Sequence, residues 1–93
     1  MSTTLARVVE TCCACPSQWD AWTTDGQYLY LRYRHGIGSV EAQPSNDPDT
    51  WDLDRPPLVE WDDDAGGGDI DLHEFLERAG LRLAPSADVV SRP

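Results

Sequence analysis

A run of aspartates in front of a short helical pattern is the first place where this chain could bind a metal ion. If Asp63 opens a calcium loop of the EF-hand type, Gly68 falls at the tight turn and Glu74 at the bidentate position. The third and fifth positions are alanine and glycine, so two of the usual side-chain ligands are absent. We therefore interpret the run as an acidic turn leading into a helix, and we expect no bound calcium. The weak calcium candidates are Asp63, Asp69, Asp71 and Glu74.

Three cysteines follow the first apolar segment and contain one C-x-x-C spacing, from Cys12 to Cys15. A structural zinc site needs four ligands, and a second such pair is missing from the sequence. The two histidines, His35 and His73, are far apart along the chain and belong to different predicted elements. We expect the cysteines to pack beneath the sheet, and we expect no cofactor. The weak zinc candidates are Cys12, Cys15 and His35.

No pattern typical of a catalytic site occurs in the sequence. A nucleophile elbow, a phosphate-binding glycine loop and an H-E-x-x-H zinc motif are all missing. His35 ends a predicted strand and His73 lies in the first turn of a predicted helix, so neither is paired with a nucleophile. We therefore predict that the protein is not an enzyme.

The acidity of the chain is concentrated in one segment. The net charge of the 93 residues is −10, and residues 41–77 hold thirteen acids against Arg55 alone, a net charge of −12. Such a segment attracts basic surfaces and repels phosphate, so we expect no direct binding to nucleic acid. We define the acidic block as the aspartates of this segment: Asp47, Asp49, Asp52, Asp54, Asp62, Asp63, Asp64, Asp69 and Asp71.

A hairpin is the clearest structural signal. Two runs rich in aromatic and β-branched residues flank Asp25-Gly26, a pair that favours a two-residue turn. In that register Trp22 lies opposite Leu29, and Trp19 lies opposite Arg32. One sheet face then carries aromatic and arginine side chains, which are the types that most often anchor protein interfaces. Either a helix covers this face and makes it core, or it is exposed and binds a partner. Its residues are Trp19, Tyr28, Tyr30, Arg32 and Arg34.

The remaining segments predict an α+β fold. A turn at His35-Gly36 should return the chain into a third strand, and a long loop follows, with Trp51 and Leu53 anchoring it on the domain. Asp71 and Glu74 match a capping box that opens a short helix, and Gly80 ends it. We predict a small antiparallel three- or four-stranded meander with one C-terminal helix. Residues 1–84 form the single domain, and residues 85–93 form a mobile C-terminal tail.

Two segments of the hairpin resemble short actinobacterial and actinophage proteins. They are Cys15–Trp19, with the sequence CPSQW, and Tyr30–Gly36, with the sequence YLRYRHG. The later segment from Asp69 to Leu76 fits the same pattern. The resemblance covers about half of the chain and implies a source, but the group has no assigned activity and so implies no mechanism.

Sequence features also limit the location and the class of function. The N-terminal segment lacks the basic start and apolar core of a secretion signal, and no apolar run could span a bilayer. We therefore expect a cytoplasmic protein without a membrane partner. The favoured function is a non-catalytic accessory protein that binds another protein, for example a basic or nucleic-acid-binding enzyme. One alternative is a phage-type inhibitor that imitates nucleic acid through the acidic block. Another is a small metal-stabilised structural module.

Overall fold

A computed structural model describes residues 3–12, 17–52, 54–63 and 70–90. In this part of the chain six strands form one sheet, in the order β5-β4-β3-β2-β1-β6. A single turn of 3-10 helix, Pro48–Thr50, lies in the loop after β4. None of the described helices is long and apolar enough to cross a membrane. The elements are β1 Thr3–Cys12, β2 Ser17–Thr23, β3 Tyr28–Arg34, β4 Ile37–Gln43, β5 Val59–Asp62, α1 Leu72–Ala79 and β6 Leu81–Val90.

The predicted meander of three or four strands is wrong, because the sheet is mixed and has six strands. Strands β1 to β5 pair in chain order and antiparallel, but β6 returns from α1 and pairs parallel to β1. The sequence hides β6 because Pro85, Ser86 and Ala87 are poor strand formers in its middle. Residues 81–83 and 88–90 pair with β1. The residues between them, which include Pro85, form a bulge. Residues 85–90, which the sequence assigned to the C-terminal tail, thus belong to this strand.

The predicted register of the first hairpin is wrong by one residue. Trp19 lies opposite Leu31, and Trp22 lies opposite Tyr28. The loop has three residues, because the Thr23 amide donates to the Gln27 carbonyl at 2.9 Å. The Thr23 hydroxyl stabilises this wider loop by accepting hydrogen bonds from the amides of Asp25 and Gln27. When a strand shifts by one residue along its partner, the side chains that were expected on one face of the sheet lie on the other face.

A bulge in β1 lets that strand contribute twice to the core. Leu5 pairs with Thr23 and Arg7 with Trp22, so Ala6 is an extra residue in β1. The extra residue reverses the alternation of side chains along the strand. As a result both Leu5 and Val8 are fully buried on the same side of the sheet.

Helix α1 covers one side of the sheet, which we call the covered face. The Phe75 ring lies 5.3 Å from the Trp19 ring and 5.0 Å from the Trp61 ring, between centroids. The predicted end of the helix is confirmed, with Gly80 in the left-handed conformation at φ 75°. The predicted capping box does not form, because the Asp71 side chain makes no capping hydrogen bond. The buried residues of this core are Leu5, Val8, Trp19, Ala21, Leu29, Leu31, Tyr33, Val40, Phe75, Leu76 and Ala79.

Candidate interaction surface

Helix α1 does not cover the opposite side of the sheet, which we call the open face, although the loop after β4 packs Trp51 on part of it. Four residues of the predicted aromatic–arginine set lie on it, but Trp19 does not. Trp19 points to the covered face and is 3% exposed, so its predicted contact with Arg32 is wrong. Gln18 lies opposite Arg32 instead. The strand pairing assigns to the open face Asp20, Trp22, Tyr28, Tyr30, Arg32, Arg34, Ser39, Glu41 and Glu60.

Four rings form an aromatic cluster on the open face: Trp22, Tyr28, Tyr30 and Trp51. Trp51 comes from the loop after β4, and its ring centroid lies 4.8 Å from that of Tyr30. Its indole nitrogen donates to the Ser45 carbonyl at 2.8 Å, which fixes the ring. The predicted anchoring role of Trp51 is confirmed, and Leu53, predicted to share it, lies outside the described residues. The sequence missed Trp22 because the assumed register placed it on the core side, where Trp19 lies.

Tyr28 is the buried centre of the aromatic cluster. Its hydroxyl donates to Asp20 Oδ1 at 2.5 Å. Burial raises the pKa of Tyr28 far above its usual value, and the hydrogen bond to the Asp20 carboxylate raises it further. The phenol is therefore neutral at physiological pH and is a structural group. Two hydrogen bonds between the Gln43 side chain and the Asp52 backbone hold the loop against this part of the sheet.

A shallow groove of about 360 Å³ continues the open face towards the turn between β3 and β4. We call it the basic groove, after its two arginines. Among the described residues neither Arg32 nor Arg34 forms an ion pair. The Nε atom of Arg32 is buried and has no hydrogen-bond partner there either. The lining residues are Arg32, Arg34, His35, Ile37, Ser39 and Glu60.

The turn at the end of the basic groove is built by His35-Gly36, as the sequence predicted. Arg34 pairs with Ile37, so the turn has two residues, and both are left-handed, with φ 54° and 76°. Residues other than glycine are uncommon in this conformation; histidine adopts it more often than most of them, and asparagine and glycine are the residues preferred in such turns. The fold thus holds an imidazole beside two unpaired guanidinium groups at some conformational cost.

The acidic block is divided between two ends of the sheet. Asp47 and Asp49 lie in the loop that follows Gln43, whereas Asp62 ends β5 beside the other end of β4 and Asp63 follows it. Those two ends are roughly 20 Å apart at the usual rise of a strand. Asp47 caps the 3-10 turn by accepting from the Asp49 amide. Of the remaining members, Asp52 and Asp54 belong to the same loop, Asp71 precedes α1, and Asp64 and Asp69 lie outside the described residues.

Asp63 is engaged inside the protein. Its Oδ2 accepts from the Tyr33 hydroxyl at 2.6 Å, and its Oδ1 forms an ion pair with Arg78. The hydrogen bond to Asp63 raises the pKa of Tyr33, and burial adds to the effect. Arg78 also contacts Glu74, one helical turn before it. Two of the calcium candidates therefore share an arginine.

The remaining metal candidates are only partly within the described chain. Cys13, Cys15 and Asp69 lie outside it, as does the side chain of Cys12. Where the chain is described, no group of three or more possible metal-ligating side chains comes together. His73, on α1, is exposed and lies on the other side of the sheet from His35.

Comparison of the chain with protein-family models, with curated proteins and with solved structures found no match.

Proposed function

We propose that this chain is a non-catalytic accessory protein that binds another protein through its open face. The observation that carries the proposal is the state of Arg32 and Arg34. In a chain with a net charge of −10, these two guanidinium groups have no carboxylate partner among the described residues. Arginine beside tryptophan and tyrosine is the composition typical of the centre of a protein interface.

The open face is well suited to recognition because its parts are already fixed. The hydrogen bonds of Trp51 and Gln43 hold the aromatic cluster in place before any partner arrives. A surface that is ordered in advance loses little conformational entropy on binding. The basic groove beside it offers planar donors that fit carboxylate or carbonyl oxygens of a partner. We place the protein in the cytoplasm, where its three cysteines would be reduced.

Imitation of nucleic acid receives less support from the geometry. An imitation of a phosphate backbone needs many free carboxylates on one surface. Here the acidic block is divided between two ends of β4, and Asp63 is paired with Arg78. In the loop after β4, Asp47 and Asp52 also accept hydrogen bonds from nearby backbone amides.

The test is capture of a partner by tagged protein from a lysate of a GC-rich actinobacterium, the source that the resemblance implies. Wild type is compared with Arg32→Ala/Arg34→Ala and with a matched acidic variant, Asp47→Asn/Asp49→Asn. We expect the arginine variant to lose the partner and the acidic variant to keep it. Capture that is lost only in the acidic variant and falls steeply with salt would instead support imitation of nucleic acid.

A further inference from the structure

The two arginines of the basic groove lie side by side on one strand. Arg32 and Arg34 are two residues apart on β3, so both side chains leave the same face, with Cα atoms about 7 Å apart. Ser39 lies opposite Arg32, and Ile37 lies opposite Arg34. Two positive charges on neighbouring positions of one face repel each other until an anion lies between them.

The guanidinium group of Arg32 is held so that its outer end is available. The residue is half-buried and its Nε atom is enclosed, but its two terminal nitrogens are not among the enclosed atoms. Within the described chain Arg32 forms no ion pair that would occupy them. Two N–H groups in one plane match the two oxygens of a carboxylate. Because the stem is already packed, such a contact costs little side-chain entropy.

The charges that line the groove match a ligand with one negative charge. The two arginines and Glu60 give the lining a net charge of +1 when the histidine is neutral. Glu60 lies across Ser39 from Arg32, roughly 10 Å away between Cα atoms, and pairs with neither arginine. One carboxylate would neutralise this lining, whereas a phosphate with two charges would be repelled more strongly by Glu60.

An apolar side chain beside the arginines favours a carboxylate on an aliphatic stem. Ile37 lines the groove and is 40% exposed. Since it lies opposite Arg34, it can contact the methylene groups next to a bound carboxylate. Asp62, opposite Ile37, does not line the groove and makes an interaction of its own. The side chains of aspartate and glutamate combine a single charge with such a stem.

We infer that the basic groove binds one carboxylate of the protein partner, carried by an aspartate or glutamate side chain. The terminal nitrogens of Arg32 bind its oxygens, Arg34 adds the second positive charge, and Ile37 contacts the stem. The inference rests on the proposed function and specifies the group that enters the groove. It also gives Glu60 a role, because this residue competes with the ligand for the same guanidinium groups and disfavours anions with two charges.

The test is an NMR titration of the purified protein with N-acetyl-glutamate amide, which carries one side-chain carboxylate. The enclosed Nε–H of Arg32 and the backbone amides of Arg34 and His35 report on the groove. We expect saturable shifts of these signals with a dissociation constant in the millimolar range, as suits so small a ligand. N-acetyl-glutamine amide, which has the same shape without the charge, and sodium chloride at equal ionic strength should cause no saturable shift. Inorganic phosphate should bind more weakly than the glutamate probe.

Three variants sharpen the titration. Arg32→Lys keeps the charge but loses the planar pair of donors, so the glutamate probe should bind about tenfold more weakly. Glu60→Gln removes the competing carboxylate and should strengthen binding several-fold. Arg82→Lys is the matched control, because Arg82 is exposed on β6 outside the groove, and it should leave the affinity unchanged. Thermal unfolding of each variant checks its fold.

The outcomes separate this inference from the proposed function. The inference is overturned if the glutamate probe causes no saturable shift, if the glutamine probe binds equally well, or if phosphate binds more tightly. When such a result accompanies loss of partner capture in folded Arg32→Ala/Arg34→Ala, the open face still binds a protein, but not through a carboxylate. Capture that is unchanged in that variant would contradict the proposed function, and with it the assignment of the carboxylate to a partner.

Discussion

The two faces of the sheet are built from the same strands, yet they differ in what their side chains contact. On the covered face Trp19, Leu31 and Val40 are buried in one cluster with α1. On the open face the alternate residues of the same strands form the aromatic cluster and the basic groove, and Arg34 is exposed. The difference teaches that the main buried core lies on one face, whereas the other face carries the residues that we propose for binding. Substitutions on each face should separate these two roles.

The largest expected effect is the loss of the aromatic contact under α1. Phe75→Ala removes a fully buried ring that contacts both Trp19 and Trp61, and it should lower the free energy of unfolding by about 3–5 kcal/mol. Denaturant unfolding measures this. The matched variant on the open face is Trp51→Ala, which should cost clearly less because that ring is partly exposed. Equal losses would contradict the contrast between the two faces.

A second large effect is expected where a glycine makes room for a ring. A Cβ atom on Gly38 would overlap the six-membered ring of Trp61 on the covered face. Gly38→Ala should therefore lower stability by about 1–3 kcal/mol, because the ring must move within the packed core. Ser39→Ala, the next residue on the open side of β4, is the control and should change little. Thermal unfolding of both variants measures these two changes in stability.

The buried phenol of the aromatic cluster predicts a dependence on pH. The raised pKa of Tyr28 means that the folded state keeps its proton where the unfolded chain loses it, above the usual pKa of 10.0. This contribution to stability is complete below pH 10 and falls as the pH rises further. Tyr28→Phe should cost about 1–2 kcal/mol near neutrality through the lost bond to Asp20. The difference from wild type should narrow in alkaline solution, and curves that stay parallel would contradict this.

The smallest effect is expected at the turn beside the basic groove. His35→Asn replaces a residue strained at φ 54° by one that favours the left-handed conformation. It should raise the free energy of unfolding by about 0.5–1 kcal/mol. If His35 contributes to the proposed binding, the same variant captures less partner although it is more stable. A loss of stability would mean that the imidazole makes a contact that outweighs the strain.

Local signals in the sequence predicted some elements and missed others for definable reasons. The turn at His35-Gly36 and the end of α1 at Gly80 depend on neighbouring residues alone, and both are correct. The hairpin register failed because the Thr23 hydroxyl favours a three-residue loop over the two-residue turn that Asp25-Gly26 suggests. The register in turn decides which tryptophan joins the core. Strand β6 was missed because parallel pairing with β1 is a long-range contact that no local pattern shows.

The most direct test of the account measures stability and partner capture on one variant, Arg34→Glu. Arg34 is exposed and has no ion pair among the described residues, so we predict an unchanged thermal midpoint and loss of the captured partner. That result would show that the open face binds without carrying the fold. Capture that is unchanged in a folded Arg34→Glu protein would contradict the account.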